Sequence, residues 1–326
     1  MDSNKAELDY EFLPFLRVYK DGHVERLLDS DTKVALASFD PLTGVTSKDI
    51  VIIPETGVSA RVYVPKLVNT NQKLPILVYF HGGAFCSSST FSPIYHNHLN
   101  SLVLESNIVV VSVDYRLAPE HPLPIAYEDS WAALQWVASH CDRKGPETVL
   151  NENVDLARVF LAGDSAGANI AHIMAMRVGD PDIGLNVRLL GIALIHPYFW
   201  GSEPIGSETL DLGRKAFVDR LWPFVCPSMP DSDHPYINPV AVGAPSLHNL
   251  GCARVLVCVA EKDILKDRGW LYYESLGRCG WIGVVEIMEA KGEEHVFHLH
   301  NPDCQNASDL VKRLSAFINR DMPPLL

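Results

Sequence analysis

No apolar run in the 326-residue chain approaches the roughly 18 residues that a membrane-spanning helix needs. The first 22 residues have neither the basic start nor the apolar core of a secretory signal peptide. The chain also has no internal repeat, low-complexity tract or linker. These absences predict one globular domain over residues 1–326, located in the cytoplasm.

Cysteines are few and scattered. The chain has seven, an odd number, and none are spaced as C-x-x-C: Cys86, Cys141, Cys226, Cys252, Cys258, Cys279 and Cys304. This pattern excludes a disulfide framework and a cysteine-based zinc site. The H-E-x-x-H motif of zinc proteases is also missing. We therefore expect free thiols in a reducing compartment and no bound metal or cofactor.

Positive charge is scarce. Lysine and arginine number 27 against 40 aspartates and glutamates, a net charge of −13, and no basic cluster reverses this locally. Such a surface repels nucleic acid and anionic membranes, so neither is expected as a partner. Hydrophobic residues make up 47% of the chain, which is typical of a globular protein with a large core. The expected ligand is a small, largely neutral molecule.

Secondary structure follows from the apolar pattern. Short runs rich in Val, Ile and Leu, bounded by turn residues, are typical of strands covered on both faces: residues 74–80, 108–115, 159–162, 189–195, 255–260 and 284–288. Residues 170–178 are mostly apolar, as in a buried helix. One further helical face is marked by apolar residues at helical spacing: Tyr127, Trp131, Leu134 and Ala138. This alternation predicts an α/β fold, with a mostly parallel central sheet and helices on both faces.

Two segments interrupt the alternation of strands and helices. Residues 1–50 are mixed and polar, and residues 198–250 are rich in Pro, Gly and aromatics with weak periodicity. Long irregular insertions in a compact domain are usually lids or binding loops. We therefore expect both segments to cap a pocket.

Residues 163–167 read Gly-Asp-Ser-Ala-Gly, between a predicted strand and the predicted buried helix. A strand–turn–helix with serine at its apex is typical of a nucleophile elbow, in which the serine Oγ projects above the sheet. Gly163 and Gly167 fit this interpretation because a Cβ at either position would collide with the crowded turn. Ser165 is the candidate nucleophile, and an ordinary turn serine is the alternative.

The segment His-Gly-Gly-Ala at residues 81–84 directly follows the predicted strand 74–80. Acyl transfer places negative charge on the carbonyl oxygen, and rigid backbone N–H groups must point at it. Glycines allow that approach without an intervening side chain. We expect the N–H groups of Gly82, Gly83 and Ala166 to form an oxyanion hole, whereas the alternative is a plain glycine-rich turn.

A nucleophilic serine needs a base, and the base needs an orienting carboxylate. Asp263 and His295 each follow a predicted strand, and the order Ser165, Asp263, His295 is that of α/β-hydrolase triads. Asp267 and Glu261 are alternatives to Asp263.

Two further histidines lie close to His295 in the sequence. His298 and His300 could replace it as the base, although the loop position after the last strand favours His295. A metal site formed by His295, His298 and His300 is a third alternative, but no ligand spacing supports it.

These motifs also carry a family resemblance. Residues 81–84, 113–122 and 163–167 together resemble the hormone-sensitive-lipase-like branch of the α/β hydrolases. Residues 20–22, 167–172 and 196–200 resemble the plant carboxylesterases within that branch. The resemblance covers nearly the whole chain. It implies the α/β-hydrolase fold, with Ser165 as nucleophile, Asp263 as acid and His295 as base, and with the oxyanion hole at the positions given above.

Three neighbouring groups in that family refine the functional prediction. Gibberellin receptors lack the triad histidine, whereas His295 is present here. Residues 200–204 and 243–247 resemble stretches of the 2-hydroxyisoflavanone dehydratases. Those enzymes, however, often carry threonine where this chain has Ser165. Cyclases of alkaloid intermediates show that such a pocket can bind without hydrolysing. Ala84 replaces the commoner third glycine of the oxyanion loop, and its methyl group could narrow the acyl pocket.

The sequence thus predicts a serine carboxylesterase that hydrolyses short-chain or aromatic esters through an acyl-serine, without a cofactor. A lyase that eliminates water from a flavonoid-like substrate is the alternative, followed by a non-catalytic small-molecule receptor.

Overall fold

A computed structural model describes residues 7–28, 33–69 and 72–320. Within them, eight strands form the central sheet: β4 (Thr46–Ile53), β5 (Val58–Val64), β6 (Leu74–Phe80), β7 (Val109–Asp114), β8 (Val154–Asp164), β9 (Leu189–Ile195), β10 (Arg254–Ala260) and β11 (Val284–Ala290). Their spatial order is β11-β10-β9-β8-β6-β7-β5-β4. Strands β6 to β11 pair in parallel, and β4 and β5 are antiparallel. The predicted mostly parallel sheet is confirmed.

The apolar runs predicted the strands well because most of these strands are buried on both faces. Every residue of β6, β9 and β10 is buried. Strand β8 begins at Val154, five residues before the predicted run, because its first half is partly exposed and includes Asp155 and Arg158. Such a half-exposed, mixed segment has no continuous apolar signal.

The helices are α1 (Pro93–Ser106), α2 (Ile125–Ala138), α3 (Thr148–Asn153), α4 (Ala166–Val178), α5 (Leu212–Val218), α6 (Leu221–Val225), α7 (Lys266–Arg278), α8 (Phe297–His300) and α9 (Gln305–Asn319). The four apolar residues that predicted α2 are all buried. Along β6, Val78 packs into the layer that contains α2 and α4, and Leu77 packs into the layer that contains α1 and α9. Helices therefore cover both faces of the sheet. No helix of the described part of the chain is long and apolar enough to span a bilayer.

The N-terminal segment forms two different structures. A separate three-stranded antiparallel sheet consists of β1 (Leu8–Phe12), β2 (Leu16–Tyr19) and β3 (Val24–Arg26). Residues 46–50, which the sequence analysis assigned to the cap, instead lie in edge strand β4 of the central sheet. Residues 1–6 and 29–32 of the expected cap lie outside the described residues.

Aromatic side chains join the small N-terminal sheet to helices α5 and α6 of the 198–250 segment. Phe12 stacks on Phe224 with ring centroids 4.5 Å apart, and Phe15 stacks on Phe217 at 6.1 Å. Two segments that are far apart in the sequence thus form one layer above the carboxyl ends of the central strands.

Candidate active site

Ser165 occupies the turn between β8 and α4. Its backbone has φ +53° and ψ −116°, a conformation that L-residues rarely adopt. A Cβ added at Gly167 would overlap the carbonyl oxygen of Phe80, and one at Gly163 would overlap the Gly167 backbone. The strained, glycine-dependent turn is the geometry predicted for residues 163–167.

Backbone hydrogen bonds on both sides hold Ser165 in this conformation. Its N–H donates to the carbonyl of Ile195 at 2.8 Å, and its own carbonyl accepts from the N–H of Tyr198 at 3.0 Å. Both partners belong to the segment at the end of β9. The neighbouring strand therefore contributes to fixing the position of the serine.

Ser165, His295 and Asp263 form a hydrogen-bonded chain. His295 Nε2 lies 3.0 Å from Ser165 Oγ, and His295 Nδ1 lies 2.6 Å from Asp263 Oδ2. Asp263 Oδ1 accepts from the N–H of Leu265 at 2.9 Å, which fixes the carboxylate. The loops after β10 and β11 bring the acid and the imidazole together because parallel strands end at one edge of the sheet.

Charge attraction and hydrogen bonding between Asp263 and His295 outweigh the effect of burial on their pKa values. Burial would raise the pKa of Asp263, but attraction to His295 and its hydrogen bond outweigh that effect and lower the pKa. For His295, burial acts to lower the pKa, and attraction to Asp263 with the hydrogen bond between them raises it above its usual value. The carboxylate therefore stays ionised and stabilises an imidazolium at position 295.

The alternatives for the acid bind elsewhere. Asp267 Oδ2 accepts from both the N–H and the Oγ of Ser207 at 2.7 Å, and so anchors the cap segment. Glu261 accepts from the N–H of Gly292 at 2.7 Å. Neither carboxylate hydrogen-bonds His295.

Neither alternative histidine hydrogen-bonds Ser165, although His300 lines the cavity beside it. His298 is buried against His98, with ring centroids 4.8 Å apart, and burial lowers its pKa well below the usual value. His300 is partly exposed in the same short helix, α8. Within the described residues, one group has its potential metal-ligand atoms close together: His196, Asp263 and His295. This group differs from the alternative metal site of His295, His298 and His300.

The loop at residues 81–84 corrects one prediction. The N–H of Gly82 donates to the Tyr95 hydroxyl at 2.8 Å, so it does not point to a free oxyanion position. The structure therefore contradicts the prediction for Gly82. In contrast, the N–H groups of Gly83, Ala84 and Ala166 have no hydrogen-bond acceptor within the described part of the chain, and Gly83 and Ala84 line a cavity beside Ser165.

A buried carboxylate connects this loop to the elbow. Asp164 accepts from the Tyr79 hydroxyl at 2.8 Å and from the Tyr95 hydroxyl at 2.9 Å. Burial raises the pKa of Asp164 to about 6, and the two hydroxyl donors act against that rise. Tyr95 thus bonds both Gly82 in the oxyanion loop and the residue directly before Ser165.

The cavity beside Ser165 has a volume of about 550 Å³. The cap contributes mainly apolar side chains: Phe15, Leu28, Phe217, Val218 and Leu221. Ile264, Leu265 and Leu299 add to this apolar wall, and Ser165 and His295 are exposed to the same space. Arg214, Glu294 and His300 add polar groups to the same cavity, which therefore suits a small substrate with a mainly apolar body.

A family model described as the alpha/beta hydrolase fold matches residues 77–299, which span the elbow and all three residues of the hydrogen-bonded chain. The chain belongs to the α/β-hydrolase fold family. The fold expected from the sequence is thereby confirmed.

Several relatives of this α/β hydrolase are similar over nearly their whole length. Probable carboxylesterase 2 of Arabidopsis thaliana is 52% identical over 320 residues, covering 98% of this chain and 99% of the relative. The 2-hydroxyisoflavanone dehydratase of Glycyrrhiza echinata is 49% identical, covering 97% and 98%. A solved structure of a hyperthermophilic esterase from Pyrobaculum calidifontis superposes with a TM-score of 0.70 at 31% identity, covering 83% of this chain and 84% of that one.

Sequence reasoning missed Tyr79 and Tyr95 in this α/β hydrolase. Both lie in buried elements, where a tyrosine is indistinguishable from an ordinary core residue. Asp164 offered the only signal, because a carboxylate in the buried elbow requires hydrogen-bond donors. The sequence does not show which distant hydroxyls supply them.

Proposed function

We propose that this chain is a serine carboxylesterase in which Ser165 is the nucleophile, His295 the general base and Asp263 the orienting acid. The observation that carries the proposal is the continuous chain of hydrogen bonds from Asp263 through His295 to the Oγ of a strained elbow serine. The esterase relatives and the esterase structure with the same fold support this assignment.

The geometry supports a two-step reaction. His295 Nε2 accepts the Ser165 proton as Oγ attacks the ester carbonyl, and Asp263 stabilises the resulting imidazolium. The imidazolium then protonates the leaving alcohol, which leaves an acyl-serine. In the second step, His295 activates a water molecule that releases the acid. No cofactor is needed for either step.

We assign the oxyanion hole to the N–H groups of Gly83, Ala84 and Ala166, with Ala84 replacing Gly82 in the predicted set. Ala84 has φ +53° and Gly83 has φ +99°, so the loop turns its amides away from regular pairing. Ala84 lines the cavity, so we infer that its side chain limits the space for the acyl group. The proposed substrates are short-chain or aromatic acyl esters.

A matched pair of tyrosine variants tests the oxyanion loop. Tyr79→Phe and Tyr95→Phe each remove one donor to Asp164, so each is expected to lower the free energy of unfolding by about 1–3 kcal/mol, measured in urea at pH 8. Only Tyr95→Phe also frees the Gly82 N–H, so only this variant is expected to lower kcat, by about tenfold. Equal kcat values for the two variants would show that Tyr95 does not hold the loop.

The pH dependence of kcat/KM reports the pKa of the catalytic base. His295 must be neutral to accept a proton, and Asp263 raises its pKa, so kcat/KM is expected to rise with pH through a midpoint above roughly 6.5. Asp164, with a pKa of about 6, is the competing group. Tyr79→Phe removes a donor that lowers the pKa of Asp164, and it leaves the His295–Asp263 hydrogen bond in place. An upward shift of the midpoint in this variant would assign the limb to Asp164. A His295 limb is expected to stay in place or move down, because the charge on Asp164 raises the pKa of His295.

A second candidate function is elimination of water from a 2-hydroxyisoflavanone. The dehydratase relative at 49% identity favours it. Elimination needs proton transfer and a polarised oxygen, whereas hydrolysis also needs Oγ to attack a carbonyl carbon. The hydroxyl at position 165 therefore distinguishes the two reactions.

Ser165→Thr separates hydrolysis from elimination. The added β-methyl group restricts χ1 and crowds an approaching acyl group, at a backbone φ of +53° that is already strained. Esterase turnover is expected to fall by at least about tenfold, while elimination is largely retained. Both rates are measured on wild type and variant, with the spontaneous dehydration rate subtracted.

The deciding experiment presents purified wild-type protein with a panel of p-nitrophenyl and natural esters, with products identified by mass spectrometry. Release of the acid and the alcohol supports the esterase proposal. Efficient dehydration without hydrolysis of any ester would instead establish the lyase.

The cytoplasmic location is also a proposal. None of the seven cysteines, all of which lie in the described residues, forms a disulfide, which agrees with a reducing compartment.

A further inference from the structure

His196 follows strand β9, which lies between the strands that lead to Ser165 and Asp263. None of the roles assigned above uses this residue. It directly follows β9, is 1% exposed, and donates its N–H to the carbonyl of Cys258 in the next strand at 2.8 Å. The residue before it, Ile195, accepts the N–H of Ser165. The backbone around His196 therefore connects the nucleophile to the strand that leads to Asp263.

The side chain of His196 reaches the loop that carries His295. Its Nδ1 accepts a hydrogen bond from the N–H of Val296, the residue after His295, at 2.9 Å. Val296 has φ +46° and ψ +33°, a left-handed conformation that is costly for a β-branched residue. This strained backbone turns the chain from His295 into helix α8.

The His295 loop is thus held on both sides. Upstream, the carbonyl of Glu293 accepts the N–H of Lys262 at 2.9 Å, and downstream Val296 is held by His196. Without the downstream bond, a partly buried N–H loses its acceptor, and the strained turn loses the hydrogen bond that ties it to β9. Relaxation of that turn would move the imidazole away from Ser165 Oγ.

The hydrogen bond also determines the state of the His196 ring. An acceptor Nδ1 carries no proton, so a neutral ring carries its proton on Nε2. Burial lowers the pKa of His196 to about 3, which keeps the ring neutral at all pH values where esterases work. A neutral ring beside His295 does not repel the imidazolium or compete for Asp263, as a cation would.

We propose that His196 is a positioning residue that fixes the catalytic His295 by accepting the Val296 N–H. The proposal rests on the proposed roles of Ser165 and His295. His196 acts through the backbone of the loop that carries His295, and its ring packs beside that of His295 with centroids 5.8 Å apart.

Three substitutions at position 196 test the acceptor. His196→Leu removes it. His196→Asn retains an acceptor oxygen the same number of bonds from Cα and tolerates the left-handed φ of +46° at this residue. His196→Gly tolerates that φ as well but has no acceptor, so it separates the backbone conformation from the hydrogen bond.

A neighbouring histidine provides the control. His298 is 1% exposed, as His196 is, and lies 5.7 Å from it between ring centroids, but neither of its ring nitrogens has a hydrogen-bond partner within the described residues. His298→Leu therefore removes a buried imidazole of the same kind without removing an acceptor.

The measurements are kcat and KM for a p-nitrophenyl ester and the melting temperature of each variant. His196→Leu and His196→Gly are expected to lose about 10- to 100-fold in kcat, with KM within about twofold, because misplacement of a catalytic group slows chemistry more than binding. His196→Asn is expected to recover at least about fivefold over His196→Leu, and His298→Leu to keep wild-type kcat.

Two outcomes would overturn the proposal: wild-type kcat in His196→Leu, or a His196→Gly kcat equal to that of His196→Asn. Ser165→Ala and His295→Ala are assayed in parallel. If both are inactive while His196→Leu is fully active, the positioning role alone is wrong. If His295→Ala is fully active, the proposed catalytic roles are wrong as well.

Discussion

Ser165→Ala is expected to lower kcat for a short-chain p-nitrophenyl ester by about 10⁴ to 10⁶, because loss of one triad member disables the whole unit. Residual activity then comes from binding and from the oxyanion hole alone. In wild type, an organophosphonate is expected to label Ser165 and no other serine, as read by peptide mass spectrometry. Labelling also separates an enzyme from a receptor, which has no activated serine.

Ser130 provides the control for this substitution. It is fully buried in helix α2 and donates its Oγ to the carbonyl of Ala126 at 2.7 Å, without lining the cavity. Ser130→Ala is therefore expected to keep wild-type kcat. Full activity in Ser165→Ala, or labelling at another serine, would exclude the proposed nucleophile.

Asp263→Asn is expected to lower kcat by about 10⁴ with little change in KM. An asparagine amide at this position can donate to His295 Nδ1, which places the imidazole proton on Nε2 and leaves no base facing Ser165 Oγ. The variant also loses the attraction that raises the pKa of His295. Steady-state kinetics on the alkaline plateau of the wild-type pH profile measure the effect.

Asp267→Asn is the matched control, since Asp267 is also an aspartate that follows β10, four residues after Asp263. Its carboxylate binds Ser207 and not His295, so its substitution is expected to change kcat by less than about fivefold. A larger loss in Asp267→Asn than in Asp263→Asn would reverse the assignment of the acid.

The sequence predicted those parts of the site that depend on local patterns. Ser165, Asp263 and His295 each follow a strand of the central sheet, and parallel strands end at one edge of the sheet, so their convergence follows from topology. The elbow glycines were readable because only glycine fits where two backbones approach closely. Each of these inferences needed only neighbouring residues and the strand order.

Side-chain contacts between distant segments could not be read in this way. The Gly82 prediction was wrong because the competing acceptor, the Tyr95 hydroxyl, comes from helix α1. Similarly, residues 46–50 of β4 were assigned to the cap because a largely exposed edge strand has no continuous apolar run. Both errors concern contacts between residues that are distant in the sequence and that meet only in the tertiary fold.

The aromatic stacking of Phe12 on Phe224 has a consequence for biosynthesis. Phe224 follows Phe12 by about 210 residues, so at about 5–20 residues per second the ribosome takes roughly 10 to 40 s to supply the partner ring. The small N-terminal sheet is made first, yet it cannot dock until α6 has emerged. His295 emerges later still. The nascent chain therefore encloses its pocket only after α6 has emerged, and it completes the proposed catalytic chain only after His295 has emerged.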